Sequence, residues 1–470
     1  MQFQVVSPDS QEADQTSMSL RLAHYIVSLQ STEIPDRVFD YARLMIADTL
    51  GVALAGSTDS SVAPVINLAK RDVGRSAIWG TNIQTTERNA SLVNGALSHV
   101  LDFDDNNLSM IGHSCAPVLP GLLALADSLN VTLEGIVVAM VVGVQVESVL
   151  GATITLEHNA RGWHTTATLG TFGATAACAK LLGLDYERTA NALGIAASLI
   201  GGIRENFGTP TKAMHAGFAA QNGLLAARLA QEGLTSGSSA LEGQEGFFAL
   251  YGSRDCLGGF AEDLSSTFEI LNSGPKVYPT CSMIHAGLDV VLQGLSSGLV
   301  RPDEVVEVEC RVSYHAANIM RYAHCSTPAE ARFCIPYCIA VALLYGSIKN
   351  EHFTDEAIQN EGVRRAMSMV KVTIDPQQRS KEEFEALYLK GEAYTTIVVT
   401  HADAPKYTGK RAIQIGHPAN PLSRDGFKRK FETCTVPVIG AQRAEQLWNV
   451  LTENDAQSAF SATTQLLLDN

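Results

Sequence analysis

The stretch Thr165-Thr-Ala-Thr-Leu-Gly-Thr-Phe-Gly-Ala-Thr175 contains only two side chains larger than threonine, Leu169 and Phe172. So few large groups leave no broad apolar stripe of the kind that seats a surface helix on a core. Small residues do let backbones approach closely, so the stretch reads as a helix over 165–183 packed among other helices. The same Ala-, Leu-, Gly- and Val-rich texture predicts helices around 88–101, 117–129, 132–152, 187–201 and 213–232. Further upstream, Pro35 opens a run with Val38, Ala42, Met45, Ile46 and Leu50 on one face, a proline start with helical spacing. The most hydrophobic window, Gly135–Val144, meets Gln145 and Glu147 and predicts a buried helix too short to cross a bilayer.

Near Gly274-Pro275 the texture changes. Residues 303–315 alternate apolar with polar, as do Val370–Ile374 and Tyr394–Thr400, which predicts strands. Helices are expected between them, over 328–348 and 354–368. After Gly416-His-Pro-Ala-Asn-Pro421 the helical spacing returns with Phe427, Phe431, Leu447 and Leu451. The pattern predicts a mainly α protein: a helical domain of residues 1–271 with 416–470, interrupted by an α+β domain of residues 272–415.

Composition narrows the function. Hydrophobic residues at 46% and charged residues at 18% describe a chain with a large buried interior, and at 470 residues two or more domains. The net charge of −15, with Lys428-Arg-Lys430 as the densest basic cluster, argues against nucleic acid as a partner. Nine scattered cysteines without a C-x-x-C pair read as reduced thiols. The polar, acidic N-terminus lacks the marks of a signal or transit peptide, so the expectation is a cytoplasmic protein.

Three short runs place ionisable groups among small or apolar residues, where a charge is costly unless it has a partner or a task. They are Asp102-Phe-Asp-Asp-Asn-Asn-Leu-Ser-Met-Ile-Gly-His113, Gly162-Trp-His164 and Thr211-Lys-Ala-Met-His215. Any one aspartate of the first run has an ordinary reading as a cap or a solvated loop residue. A magnesium-diphosphate reading of D-x-D-D would need an aromatic-lined pocket and a second acidic motif, and aromatics are only 7% of the chain. His113 and Cys115 lack familiar zinc spacing. No metal is expected.

His164 follows a tryptophan at the mouth of the small-residue helix, where an apolar wall and a helix N-terminus both favour neutral imidazole. Lys212 sits in a Gly-, Pro- and Thr-rich turn before a long helix, a ready anion site. Lys276 stands at the expected domain junction, where clefts form. Histidines, lysines and an aspartate brought together suit acid–base chemistry on an anionic substrate.

As an ordered set, these runs resemble the MmgE/PrpD family, which includes 2-methylcitrate dehydratases, cis-aconitate decarboxylases and an iminodisuccinate epimerase. The likeness spans about residues 20–455. Its carriers are Val93-Asn-Gly95, Asp102-Phe-Asp-Asp105, Gly112-His113, Gly162-Trp-His164, Thr211-Lys-x-x-His-x-Gly217, Asn222-Gly223, Lys276-x-Tyr-Pro279, Glu330-Ala331 and Pro418-x-Asn-Pro421. The resemblance implies a large helical domain built from both chain ends, a smaller α+β lid and a homodimer. It further implies a lyase that needs neither cofactor nor metal and acts on a small di- or tricarboxylate.

Family positions carry over onto Asp102, His113, His164, Lys212 and Lys276, with Tyr322 a looser match. Asn106 stands where decarboxylases place threonine. His113 is followed by Ser-Cys-Ala rather than by proline, and the Asp102-to-His113 spacing looks closest to the epimerase branch, next to the decarboxylases. The expected roles are polycarboxylate binding by Lys212, Lys276, Tyr322 and Asn106, and catalysis by His113 and His164, which transfer protons, with Asp102 and Lys212. Asp102 is expected to orient or charge a histidine, while Asp104 and Asp105 have structural or capping roles. The alternatives are an epimerase of an iminodisuccinate-like dicarboxylate and, second, a non-catalytic binding or scaffold homologue.

Overall fold

The Thr165–Leu182 helix runs through the centre of a helical assembly, flanked by Cys115–Ala126, Leu133–Ala160 and Pro210–Gln231. This computed structural model describes residues 17–252, 264, 266–453, 455–458 and 460–468; the N-terminal acidic segment and Cys256 lie outside them. Threonines tolerate the dry interior because their hydroxyls bond back along the helix, Thr171 to Ala167 O and Thr175 to Thr171 O. The helices predicted before residue 272 all form, and most of their ends fall within a few residues of expectation.

The helix containing Gly135–Val144 is longer than its apolar window suggests. It runs 28 residues, and its Leu133–Ile154 portion is long and apolar enough to cross a membrane. Of that window 89% is buried inside the fold, so the apolarity is spent on helix neighbours.

Glycine sets one contact that matters for the site. A Cβ on Gly95 would stand 2.6 Å from the Gly217 Cα, so the helices Glu87–His99 and Pro210–Gln231 meet backbone to backbone there. They run antiparallel, which brings the C-terminal His99 of one beside the N-terminal turn of the other, where Lys212 lies.

A first hydrophobic core joins residues from Met18 to Leu271 with Phe427, Phe431, Leu447, Trp448, Leu451 and Leu467. The returning helix Arg424–Ile439 lies on Asp36–Gly56, and Lys430 on it is buried. Its Nζ donates to Asp48 Oδ2 and Phe103 O, both at 2.8 Å. The densest basic cluster of the sequence thus serves an internal ion pair that pins the loop after His99.

A second core gathers residues 281–399 with Phe207. It is built on a four-stranded mixed sheet in the order Val370–Ile374, Val305–Val312, Thr395–His401, Tyr407–Arg411. The first pair is parallel and the others antiparallel. The helices His285–Ser296 and Ile335–Tyr345 pack against it. Three details depart from expectation, the first being that the expected 354–368 helix is interrupted at Asn360 into Asp355–Gln359 and Glu361–Ser368. Tyr407–Arg411, whose residues show no apolar alternation, forms the fourth strand by pairing with Thr395–Val399. The expected 328–348 helix breaks into Pro328–Ala331 and Ile335–Tyr345, the latter starting with Pro336 at its first turn. All eight described cysteines are unpaired thiols.

Candidate active site

Between the two cores lies a cavity of about 440 Å³, lined by Asp102, Asn106, His113, His164, Lys212 and Lys276 among others. Three helices begin at it: His113 stands just before Cys115–Ala126, His164 is the N-cap of Thr165–Leu182, and Lys212 is in the first turn of Pro210–Gln231. The positive ends of three helix dipoles therefore lie near the cavity, although the Asp105 carboxylate already takes the Ser114 and Cys115 N–H groups of the first. The loop 102–107 closes the wall. Its strand Asp105–Asn107 pairs antiparallel with Ser273–Pro275, and the Lys276 N–H donates to Asp104 O, so the acidic run and Lys276 are held as one piece.

Asp102 adopts φ +49° and Ile111 φ +46°, left-handed conformations that are costly for a non-glycine residue, above all for a β-branched one. The strain at Asp102 aims its carboxylate at two ammonium groups. Oδ1 accepts from Lys212 Nζ at 2.8 Å and from Lys276 Nζ at 2.6 Å, while Oδ2 is buried without a partner. Lys276 Nζ also donates to Asp102 O at 3.0 Å and reaches Asp104 Oδ1 at 3.3 Å.

Burial pushes the Asp102 carboxyl up, but Lys212 and Lys276 together outweigh it and hold the group well below the usual range. Burial opposes the Lys276 charge, and Asp102 and Asp104 more than offset it, raising that ammonium above its ordinary value. Lys212 lies over the rings of Phe207 and Phe333, with its Nζ 5.5 and 5.1 Å from their centroids.

The expectation that Asp102 orients a histidine is corrected here: its side-chain partners are the two lysines. That task falls to Asp104, which had been given a structural or capping role. Asp104 Oδ2 accepts from His99 Nδ1 at 2.7 Å and lies 3.5 Å from His113 Nδ1. Burial raises the Asp104 carboxyl, and His113, His99 and Lys276 overcome it and keep the group ionised. Asp105 does cap, accepting from the Ser114 and Cys115 N–H groups; burial and the neighbouring Asp104 raise it to about 6.

Three imidazoles form one cluster. The ring centroids of His99 and His113 are 4.6 Å apart, those of His99 and His164 5.7 Å, and those of His113 and His164 6.3 Å. His113 Nδ1 lies 2.6 Å from Asp105 O, which can only accept, so the ring proton sits on Nδ1 and Nε2 carries a free lone pair. His164 Nδ1 is 2.9 Å from His215 Nδ1, and its ring meets Phe207 edge-on. Burial is the first cause that holds His113 and His164 well below their ordinary value; His215 adds to it for His164, and Lys276 and His99 for His113. The tryptophan beside His164 is not its wall, since Trp163 stacks on His158 instead.

Tyr322 does not line the cavity. Its hydroxyl donates to Phe207 O at 2.9 Å, and its ring fills the space a Cβ would need at Gly208, where φ is +83°. It therefore braces the Phe207 turn from behind. The looser match behind its assignment had no neighbouring motif to fix its direction.

His99 and Asp104 were missed as site groups. His99 carries a sequence signal only in retrospect: it stands one helical turn after Gly95, on the face that meets Lys212. His99, Asp102, Asp104 and His113 present ligand-type atoms within 4.8 Å of one another, yet Lys276 Nζ already bridges the two carboxylates. A divalent cation there would have to displace that ammonium. The donor set therefore fits the lysine better than a metal.

The MmgE/PrpD N-terminal domain model matches residues 20–257 and the C-terminal domain model residues 278–454. Among curated proteins, the chain is similar to cis-aconitate decarboxylase of Homo sapiens, 27% identical over 467 residues, covering 96% of this chain and 94% of that protein. The Mus musculus enzyme of the same name is 26% identical over 473 residues, with 96% and 93% covered. Cis-aconitate decarboxylase of Aspergillus terreus is 27% identical over 313 residues, with 60% and 62% covered. These relatives are decarboxylases, so the placement beside the epimerase branch is not supported. With both domain models matched in order along the chain, this protein belongs to the MmgE/PrpD family.

Proposed function

We propose that the chain is a lyase acting on a small di- or tricarboxylate, by decarboxylation of a cis-aconitate-like acid or dehydration of a citrate-like acid. The observation that carries this reading is His113, an imidazole whose Nδ1 is committed to Asp105 O, lining a cavity whose wall also holds two lysine ammonium groups. The names of the relatives agree with it.

The difficult species in either reaction is a carbanion or enolate next to a carboxylate. Lys212 and Lys276 line the cavity in which that charge would form, and such fixed cations stabilise it better than water does. In decarboxylation the C–C bond to the departing carboxylate breaks and CO₂ leaves. The electron pair stays on carbon, and an imidazolium at His113 or His164 supplies the proton. In dehydration His113 Nε2 takes the C–H proton, and a second group protonates the leaving hydroxyl. The Asp105 backbone carbonyl keeps the His113 ring oriented, with the Asp104 carboxylate 3.5 Å from the same nitrogen. Such acid–base help supplies ~10²–10⁴-fold in rate.

The charges of the empty cluster cancel: Asp102 and Asp104 against Lys212 and Lys276, with the histidines neutral. An entering polyanion therefore raises the affinity of the histidines for protons, and its binding should draw protons from solution. Incubation with cis-aconitate, citrate and 2-methylcitrate, followed by proton NMR in D₂O, tests the reading. New vinylic signals, CO₂ release or deuterium at carbon are expected. Absence of conversion and of exchange on every acid would overturn it.

A further inference from the structure

A polyanion is best captured by a cation that no carboxylate already neutralises, and in the reaction cavity both lysines are paired. Arg204 is different. It stands in the short turn Arg204–Asn206, and its Nη1 donates to the Asn159 backbone O at 2.8 Å and to Asn159 Oδ1 at 2.9 Å. Both acceptors are neutral, and Arg204 Nε is buried without a partner. No carboxylate pairs with this guanidinium among the described residues.

Arg204 lines a second cavity of about 410 Å³ between residues 160–162 and 203–207 on the helical side and 318–321 on the other. Phe207 and Ile319 wall both this cavity and the reaction cavity, and Asn159, which holds Arg204, faces the latter. Arg161 and Arg321 stand at its rim, paired with Glu157 and Glu205. Three arginines against two carboxylates leave a local positive balance on a chain of net charge −15. Such a focus raises the local concentration of an anion.

We infer that the second cavity is an anion-binding vestibule, in which Arg204 takes a carboxylate of a small di- or tricarboxylate before the acid passes the Phe207–Ile319 partition. The identity of the acid rests on the function proposed above. Steady-state kinetics of Arg204→Gln, Arg204→Lys and the surface control Arg301→Gln test it across ionic strength.

For Arg204→Gln, KM should rise about tenfold or more, the scale of a lost charged hydrogen bond, with kcat changed far less. The fall of kcat/KM with added salt should flatten. Arg204→Lys should recover much of the KM, and Arg301→Gln should behave as the parent protein. Unchanged KM and salt slope in Arg204→Gln would overturn the vestibule. So would equal damage from Gln and Lys, which would make Arg204 a brace for Asn159.

If the parent protein converts no polycarboxylate, the proposed function fails and the vestibule is judged by binding alone. Calorimetric titration with tricarballylate should then show weaker binding to Arg204→Gln than to the parent protein. Equal binding would sink the inference.

Discussion

The site turns on how four buried charges are shared. Asp102 serves two ammonium groups through one oxygen, and Asp104 serves two imidazoles and Lys276. Asn tolerates the left-handed backbone of Asp102, so Asp102→Asn removes the charge with little added strain. It leaves Lys212 and Lys276 facing each other, and a buried pair broken on one side costs about 3–5 kcal/mol. The melting temperature should therefore fall by several degrees, measured by calorimetry, and an unchanged value would contradict the pairing. His113 is a different case: its side chain reaches the cavity, and its ring hydrogen bond goes to the nearby backbone carbonyl of Asp105. His113→Ala should abolish turnover, a loss of at least ~10²-fold, while the melting temperature stays within a few degrees. At this scale the sequence showed which residues converge, because each was an ionisable group in apolar company. It did not show who pairs with whom. Asp102 and Asp104 differ by two positions in one loop, and only the turn at Asp102 sends one to the lysines and the other to the histidines.

The elements matter because they fix the distances between those charges. The Gly95–Gly217 contact determines how closely His99 approaches the Lys212 turn. In Gly95→Ala the new methyl would stand 2.6 Å from the Gly217 Cα, and neither backbone can give way locally. The helices must part, at a cost of about 1–3 kcal/mol. A loss of kcat larger than that of a surface alanine substitution of equal stability is expected, because the parted helices carry His99 and Lys212. Retained activity at reduced stability would show that the site tolerates the shift. Helices were legible from composition because small and apolar residues persist over whole turns. The Tyr407–Arg411 strand was not, since its pairing with Thr395–Val399 is a long-range event that leaves little local periodicity. The same limit hid the break between Pro328–Ala331 and Ile335–Tyr345.

Over the whole molecule, burial of histidine sets the response to acid. Burial first of all lowers His158, His215 and His315 to about 4 and His285 to about 3, while His99, His113 and His164 are lowered as well. An unfolded histidine titrates near 6.5. Between pH 6.5 and 4 the unfolded chain thus binds more protons at these positions than the folded one, and stability falls as pH falls. Buried acids oppose this: Asp105 and Asp127 are raised to about 6, and Glu147, whose two oxygens lack partners, well above its ordinary value. These groups take up protons in the folded state first and favour it as pH falls through 6. With His352 and His417 also lowered and Asp48 also raised, nine depressed histidines outnumber four raised acids, so the balance is destabilising, at about 1.4 kcal/mol per pH unit for each net proton. The melting temperature should drop steadily from pH 7 to pH 5. A saturating polycarboxylate that charges His113 and His164 should shrink that drop, since the bound state then holds protons the empty one lacks. Calorimetry at pH 7, 6 and 5, with and without tricarballylate, measures both effects. A melting temperature that is flat or rises toward pH 5 in the empty protein would mean that the buried acids, and not the histidines, govern its acid stability.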